Sequence, residues 1–148
     1  MSKNQEIIAK AFELSQQRLG VQLETANFAD QRAMTFAGLQ VATTAILATL
    51  SAGNWMTSFA AALMLAGAIM SFYTVLPSKM YVAGSKFSDL EDDFEAKKSI
   101  TDVYLELGAF TDEAIGKNED IRKKANDIFK ASFALSVIAL AFAVLGSL

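Results

Sequence analysis

Amide and hydroxyl side chains recur at helical spacing inside stretches of this chain that carry no charge. Gln40, Thr43, Thr44, Leu47 and Ser51 fall on one helix face. Gly67, Ser71, Thr74 and Ser78 follow i, i+4, i+7, i+11, and Ser132, Ser136, Ala139, Ala143 and Gly146 extend the same spacing. In an apolar medium small residues let helices approach, and each hydroxyl bond across a helix pair contributes about 0.6 kcal/mol. The first chemistry on offer is therefore helix packing, within one chain and between copies. The second is a wet pathway that opens on assembly, lined by Gln40, Thr43, Thr44, Gly67, Ser71, Thr74, Ser132 and Ser136. Gln40 is the most polar of these, and an amide in hydrocarbon requires a partner.

Catalytic chemistry is poorly supplied. The chain has no His and no Cys, which removes the commonest general base, the commonest metal ligand and every thiolate site. Carboxylates such as Asp30 have no paired partner in the sequence, so no enzyme activity and no cofactor are expected. The acidic run Asp89, Glu91, Asp92, Asp93 and Glu95 has the outline of a calcium loop, but Phe94 stands where the obligatory Gly belongs and Ile100 where the closing Glu belongs. It reads better as the start of a helix capped by Ser88, with Glu91 completing a capping box. A net charge of -3 and a pI near 4.9 argue against nucleic acid as a partner.

The elements that must position these residues are set by where the charges stop. Of 148 residues, 53% are apolar and 20% charged, and mean hydropathy is +0.31. A water-soluble domain carries about 25% charge. No charged residue occurs from 33 to 78 or from 131 to 148. A membrane span needs about 20 apolar residues, so the first stretch suits two spans and the second suits one. The spacing predicts spans at 33–50 and 55–76 joined by the turn Ser51-Ala52-Gly53-Asn54, where Gly and Asn end helices readily. Pro77 closes the second span, Trp55 sits at headgroup level, and a third span covers 128–148. A soluble bundle would leave 59–73 with almost no polar face, which water does not tolerate.

The expected fold is thus an all-α helical membrane protein with three transmembrane helices, a long amphipathic helix at 1–32 and a helical insert at 79–127. All basic residues lie in the arm or in 79–130. The positive-inside rule then puts both charged segments in the cytoplasm, with the turn and the C-terminus on the periplasmic side of the inner membrane. The polar, helical N-terminal segment offers no cleavable signal peptide. Arg122, Lys123, Lys124 and Lys130 precede the third span. They serve as topology anchors or, at about 1 kcal/mol per basic residue, as contacts to anionic lipid, the anchor role being favoured.

In the arm, Ile7, Leu14, Val21 and Phe28 recur every seven residues, and Ile8, Phe12, Leu19, Leu23 and Ala26 widen the apolar face. Acids rather than lysines flank it, so the face is expected to pack on protein, with the helices of 100–130 as its dock. In the insert a helix should begin near Ser99 or Thr101 and present Ile100, Val103, Tyr104, Leu107 and Phe110. The stretch 111–118 is the weaker part, before Ile121, Ala125, Ile128 and Phe129 lead into the last span.

The order of parts (amphipathic arm, two-span hairpin, cytoplasmic helical insert, last span) resembles the transmembrane effector modules of bacterial nucleotide-signalled antiviral defence, of the Pycsar and SLATT types. The residues that carry the likeness are Ala29-Asp30-Gln31-Arg32-Ala33 entering the first span, Pro77 closing the second, and the Asn, Ile and Lys pattern of 118–130 running into the third. The likeness covers most of the chain and is one of pattern. It implies a homo-oligomer in the lipid bilayer that compromises the inner membrane on an infection signal, delivered by a cyclic nucleotide or a sensor protein. The chain departs from fuller versions in having no Gly-rich phosphate loop, which puts direct nucleotide sensing in doubt. Two other classes stand beside it. One is a holin-like phage protein, which the long insert and the lack of a basic tail disfavour. The other is a non-catalytic structural subunit of a membrane complex.

Overall fold

The computed structural model describes residues 3–51, 53–76, 80–81 and 99–147. They form α1 (Lys3–Leu50), α2 (Trp55–Val75) and α3 (Ile100–Gly146), with no strand among the described residues. The all-α expectation holds. Each helix is long and apolar enough to cross a membrane, and the chain is a membrane protein. Ala52, Pro77, Ser78, the Ser88 cap and the acidic run 89–95 lie outside the described residues.

The helix ends follow local chemistry. α1 contains no Pro or Gly pair to break it, and it runs unbroken from the charged arm into the uncharged stretch. It stops at the turn, where Gly53 adopts φ 87, a conformation that L side chains rarely enter. Asn54 then caps α2, its Oδ1 accepting from the Met56 and Thr57 amides at 2.9 and 3.4 Å. Ser99 caps α3: its hydroxyl accepts from the Asp102 amide at 3.2 Å and donates to the Asp102 carboxylate at 2.7 Å.

The chain divides into two compact units, one of Met1–Ala26 with Lys79–Ile121 and the other of Asn27–Ser78 with Arg122–Leu148. In the first unit the arm packs on α3, as expected, and the two run parallel. Phe12 meets Tyr104 with ring centroids 5.4 Å apart. Gln16 Nε2 donates to Thr111 Oγ1 at 2.9 Å, and Gln22 Nε2 to the Ile115 carbonyl at 3.1 Å. Only part of the expected face makes the contact: Phe12 and Leu19 turn inward, whereas the repeat that begins at Ile7 does not. Ile7, Leu14, Val21 and Phe28 are exposed, Val21 at 63%. The inward line of α1 is Phe12, Leu19, Ala26, Ala33, Gln40 and Leu47, also every seven residues. It lies two positions from the larger apolar repeat, and two residues turn a helix by about 200°, to its opposite side.

α3 carries a matching inward line of Tyr104, Thr111, Asn118, Ala125, Ser132, Ala139 and Gly146. Ile100 and Phe110, expected on the packed face, are exposed. The stretch 111–118, expected to be weak, is continuous helix and supplies the buried Thr111, Ala114, Ile115 and Asn118. Polar residues fill that line, so a hydrophobic pattern undervalues it. Asn118 pairs with both backbone groups of Tyr81, accepting from its amide and donating to its carbonyl at 2.8 Å each. Lys117 lies 4.8 Å from the centroid of the Tyr81 ring.

In the second unit α1 and α3 again run parallel and α2 runs antiparallel to both. Its centre is made mostly of small residues: Ala33, Ala37, Ala60, Ala61, Gly67, Ala68, Ser71, Ser132 and Ala139 are buried, together with the larger Leu47 and Met64. Phe59 packs edge-on against Phe142 at 5.0 Å, and Phe36 against Phe129 at 5.5 Å. Leu39, Val41, Ile46, Leu65, Ile69, Phe72, Val137, Leu140 and Val144 point outward and are exposed. Large apolar groups outside and small ones inside is the ordering that lipid selects, because lipid solvates the outer surface and tight packing holds the helices.

Candidate functional site

The most polar buried cluster of the second unit draws on all three helices. Gln40 comes from α1, Gly67 and Ser71 from α2, and Ser132 and Ser136 from α3. Gln40 is 2% exposed, and Ser71 and Ser132 are fully buried. Gln40 Nε2 donates to Ser132 Oγ at 3.0 Å and to Ser136 Oγ at 2.6 Å. Ser132 Oγ donates to the Gly67 carbonyl at 2.7 Å, and Ser136 Oγ to the Ser132 carbonyl at 3.2 Å. A hydroxyl has one proton, so the 2.7 Å contact between Ser71 and Ser132 runs with Ser71 as donor. The glycine is required here. A Cβ on Gly67 would lie 2.6 Å from Gln40 Nε2 and 3.3 Å from the Ser132 carbonyl oxygen.

Five of the eight expected packing or lining residues thus meet in one network. The other three, Thr43, Thr44 and Thr74, bond back to their own helices, at the Leu39, Gln40 and Ser71 carbonyls. That pattern satisfies a threonine in hydrocarbon without a neighbour. The network holds helices together, and nothing in it is acidic or basic, so its serine hydroxyls have no base beside them. Among the described residues no cluster of carboxylates is arranged to hold a metal ion.

The expected anchors occupy helix surfaces. Trp55 is exposed at the first turn of α2. Lys123 and Lys124 are exposed, Lys130 lies 3.9 Å from Asp127, and Arg122 is half-buried. Partial burial raises the Asp30 carboxyl above its ordinary 3.8, and the positive charge of Arg122 works against that rise.

From sequence Asn54 is a turn residue only, and the structure gives it a second role. While its oxygen caps α2, its Nδ2 donates to the Gly146 carbonyl at the end of α3. Gly146 is needed for that approach, since a Cβ there would lie 2.9 Å from Thr57 Oγ1 and 3.1 Å from the Met56 Cβ. The signal was present: Asn directly before an apolar run is an N-cap pattern. Thr111 and Asn118 were missed as buried polar contacts, and their seven-residue spacing to Ser132 by way of Ala125 is the sign that marks them.

No family model, curated protein or solved structure matches this chain.

Proposed function

We propose that the chain is a bacterial inner-membrane effector that oligomerises and perturbs or permeabilises the bilayer on a signal, in antiviral defence. The observation that carries this reading is the buried Gln40–Ser132–Ser136–Ser71 network inside a unit whose buried residues are otherwise mostly apolar. A polar cluster at membrane depth must satisfy its own hydrogen bonds, and a network that closes three helices onto each other is a natural resting state for a path that opens when they part. The continuity of α1 and α3 from charged into uncharged sequence supports it, since a helix transmits displacement along its length. In this reading the N-terminal arm and the insert face the cytoplasm and the turn at 51–54 faces the periplasm. The likeness to Pycsar-type and SLATT-type modules supplies the class of trigger, a cyclic nucleotide or a sensor protein.

The test is inducible expression in bacteria with a membrane-potential dye. Wild type depolarises the cells on the signal, whereas Gln40→Leu inserts equally well and does not. Equal depolarisation by both removes Gln40 from the mechanism. No depolarisation by wild type beside a cognate cyclase favours a non-catalytic structural subunit. The complete pairing of the serine hydroxyls within one chain already favours that as the second reading.

A further inference from the structure

We propose that Gln40 Oε1 binds a water molecule inside the membrane unit. Gln40 Oε1 is buried, and among the described residues nothing donates to it. Rotating the amide does not solve this. It would offer the oxygen to Ser132 and Ser136 but leave both Nε2 hydrogens without the acceptors they now use.

No proton in the network is spare. The Ser132 proton goes to the Gly67 carbonyl, the Ser136 proton to the Ser132 carbonyl, and the Ser71 proton to Ser132 Oγ. The donor must come from outside the cluster. A buried acceptor of this kind is ordinarily satisfied by an ordered molecule of solvent. A water also has a second place to donate, because Ser71 Oγ and Ser136 Oγ each keep acceptor capacity in the same cluster. A metal cation fits less well. No carboxylate lies between 33 and 76 or between 131 and 147, and a bare cation is far costlier in hydrocarbon than a neutral water. The inference does not depend on the effector reading, because a structural subunit would hold the same water.

The experiment is water-edited solid-state NMR on the full chain in lipid bilayers, with the Gln40 side-chain amide assigned. Magnetisation is expected to pass from water to the Gln40 amide hydrogens and not to the methyls of Leu39 or Val41. In the Gln40→Met variant, which keeps length and removes the acceptor, transfer to the Ser136 side chain should be lost, with Lys123 and Lys124 unchanged. A silent Gln40 amide in a spectrum where Lys123 and Lys124 respond would overturn the proposal. So would transfer to Ser136 that persists with Met at position 40.

Discussion

Ser132 is the hub of the buried network because its one hydroxyl on α3 meets three groups on the other two helices: the Gln40 amide of α1, and the Ser71 hydroxyl and Gly67 carbonyl of α2. Gly67 makes the meeting geometrically feasible. A methyl added there cannot coexist with the amide at 2.6 Å, and Gln40 is held at its far end by two bonds. Gly67→Ala is therefore expected to destabilise the second unit by about 1–3 kcal/mol, the usual cost of overpacking. Thermal unfolding in detergent reads this directly, and an unchanged midpoint would mean the amide moves aside freely. The candidate cluster was legible in the sequence as stripes, because small and hydroxyl residues at i, i+4, i+7 stand out in an uncharged run. Its bonding was not legible. Thr43 and Thr44 look as available as Gln40 in one dimension, and only the helix rotation shows that they turn back on their own backbone.

At the scale of the element, α1 offers two seven-residue repeats, and the chain packs the less apolar of them. Ile7, Leu14, Val21 and Phe28 satisfy every criterion of a buried stripe except being buried. The line actually used contains Ala26, Ala33 and Gln40, and in the membrane segment small residues are what lets neighbouring helices approach. Hydropathy marks an interior in water, whereas residue size marks it in lipid, so a helix with both kinds of segment misleads a reading by hydropathy alone. Helix ends were easier, since Gly53, Asn54 and Ser99 act through local backbone chemistry. The two repeats separate cleanly in an experiment. Leu19→Asp should cost roughly 3 kcal/mol or more by burying an unpaired charge, while Val21→Asp should stay within about 0.5 kcal/mol. Urea unfolding of both variants in the same detergent compares them, and equal losses would return the arm's contact face to the larger repeat.

At the scale of the whole molecule, Asp30 makes one contribution to pH-dependent stability, and its sign follows from its raised carboxyl, opposite to that of Glu113, which Lys117 holds down. The folded Asp30 carboxyl titrates above the ordinary value, so the folded state holds the proton more tightly than the unfolded state. Stability from this group is complete below the unfolded value near 3.8 and declines as pH rises through the folded one. Asp30→Asn is expected to raise the neutral-pH unfolding midpoint slightly and to flatten its dependence as pH rises from the ordinary 3.8. Midpoints measured from that pH upward test the sign. A variant that loses stability at neutral pH would show that the attraction to Arg122 outweighs the cost of burial.

Asn54 ties the amino end of one rod to the carboxyl end of another with a single side chain. Any piston-like stroke of α3 along its own axis, even a fraction of the ~5.4 Å pitch, would draw the Gly146 carbonyl out of the amide's reach. The side chain would keep its two capping bonds to the first coil of α2 and lose its hold on the neighbouring rod. One small amide thus serves as stopper and latch together, and only the latch is sensitive to axial motion.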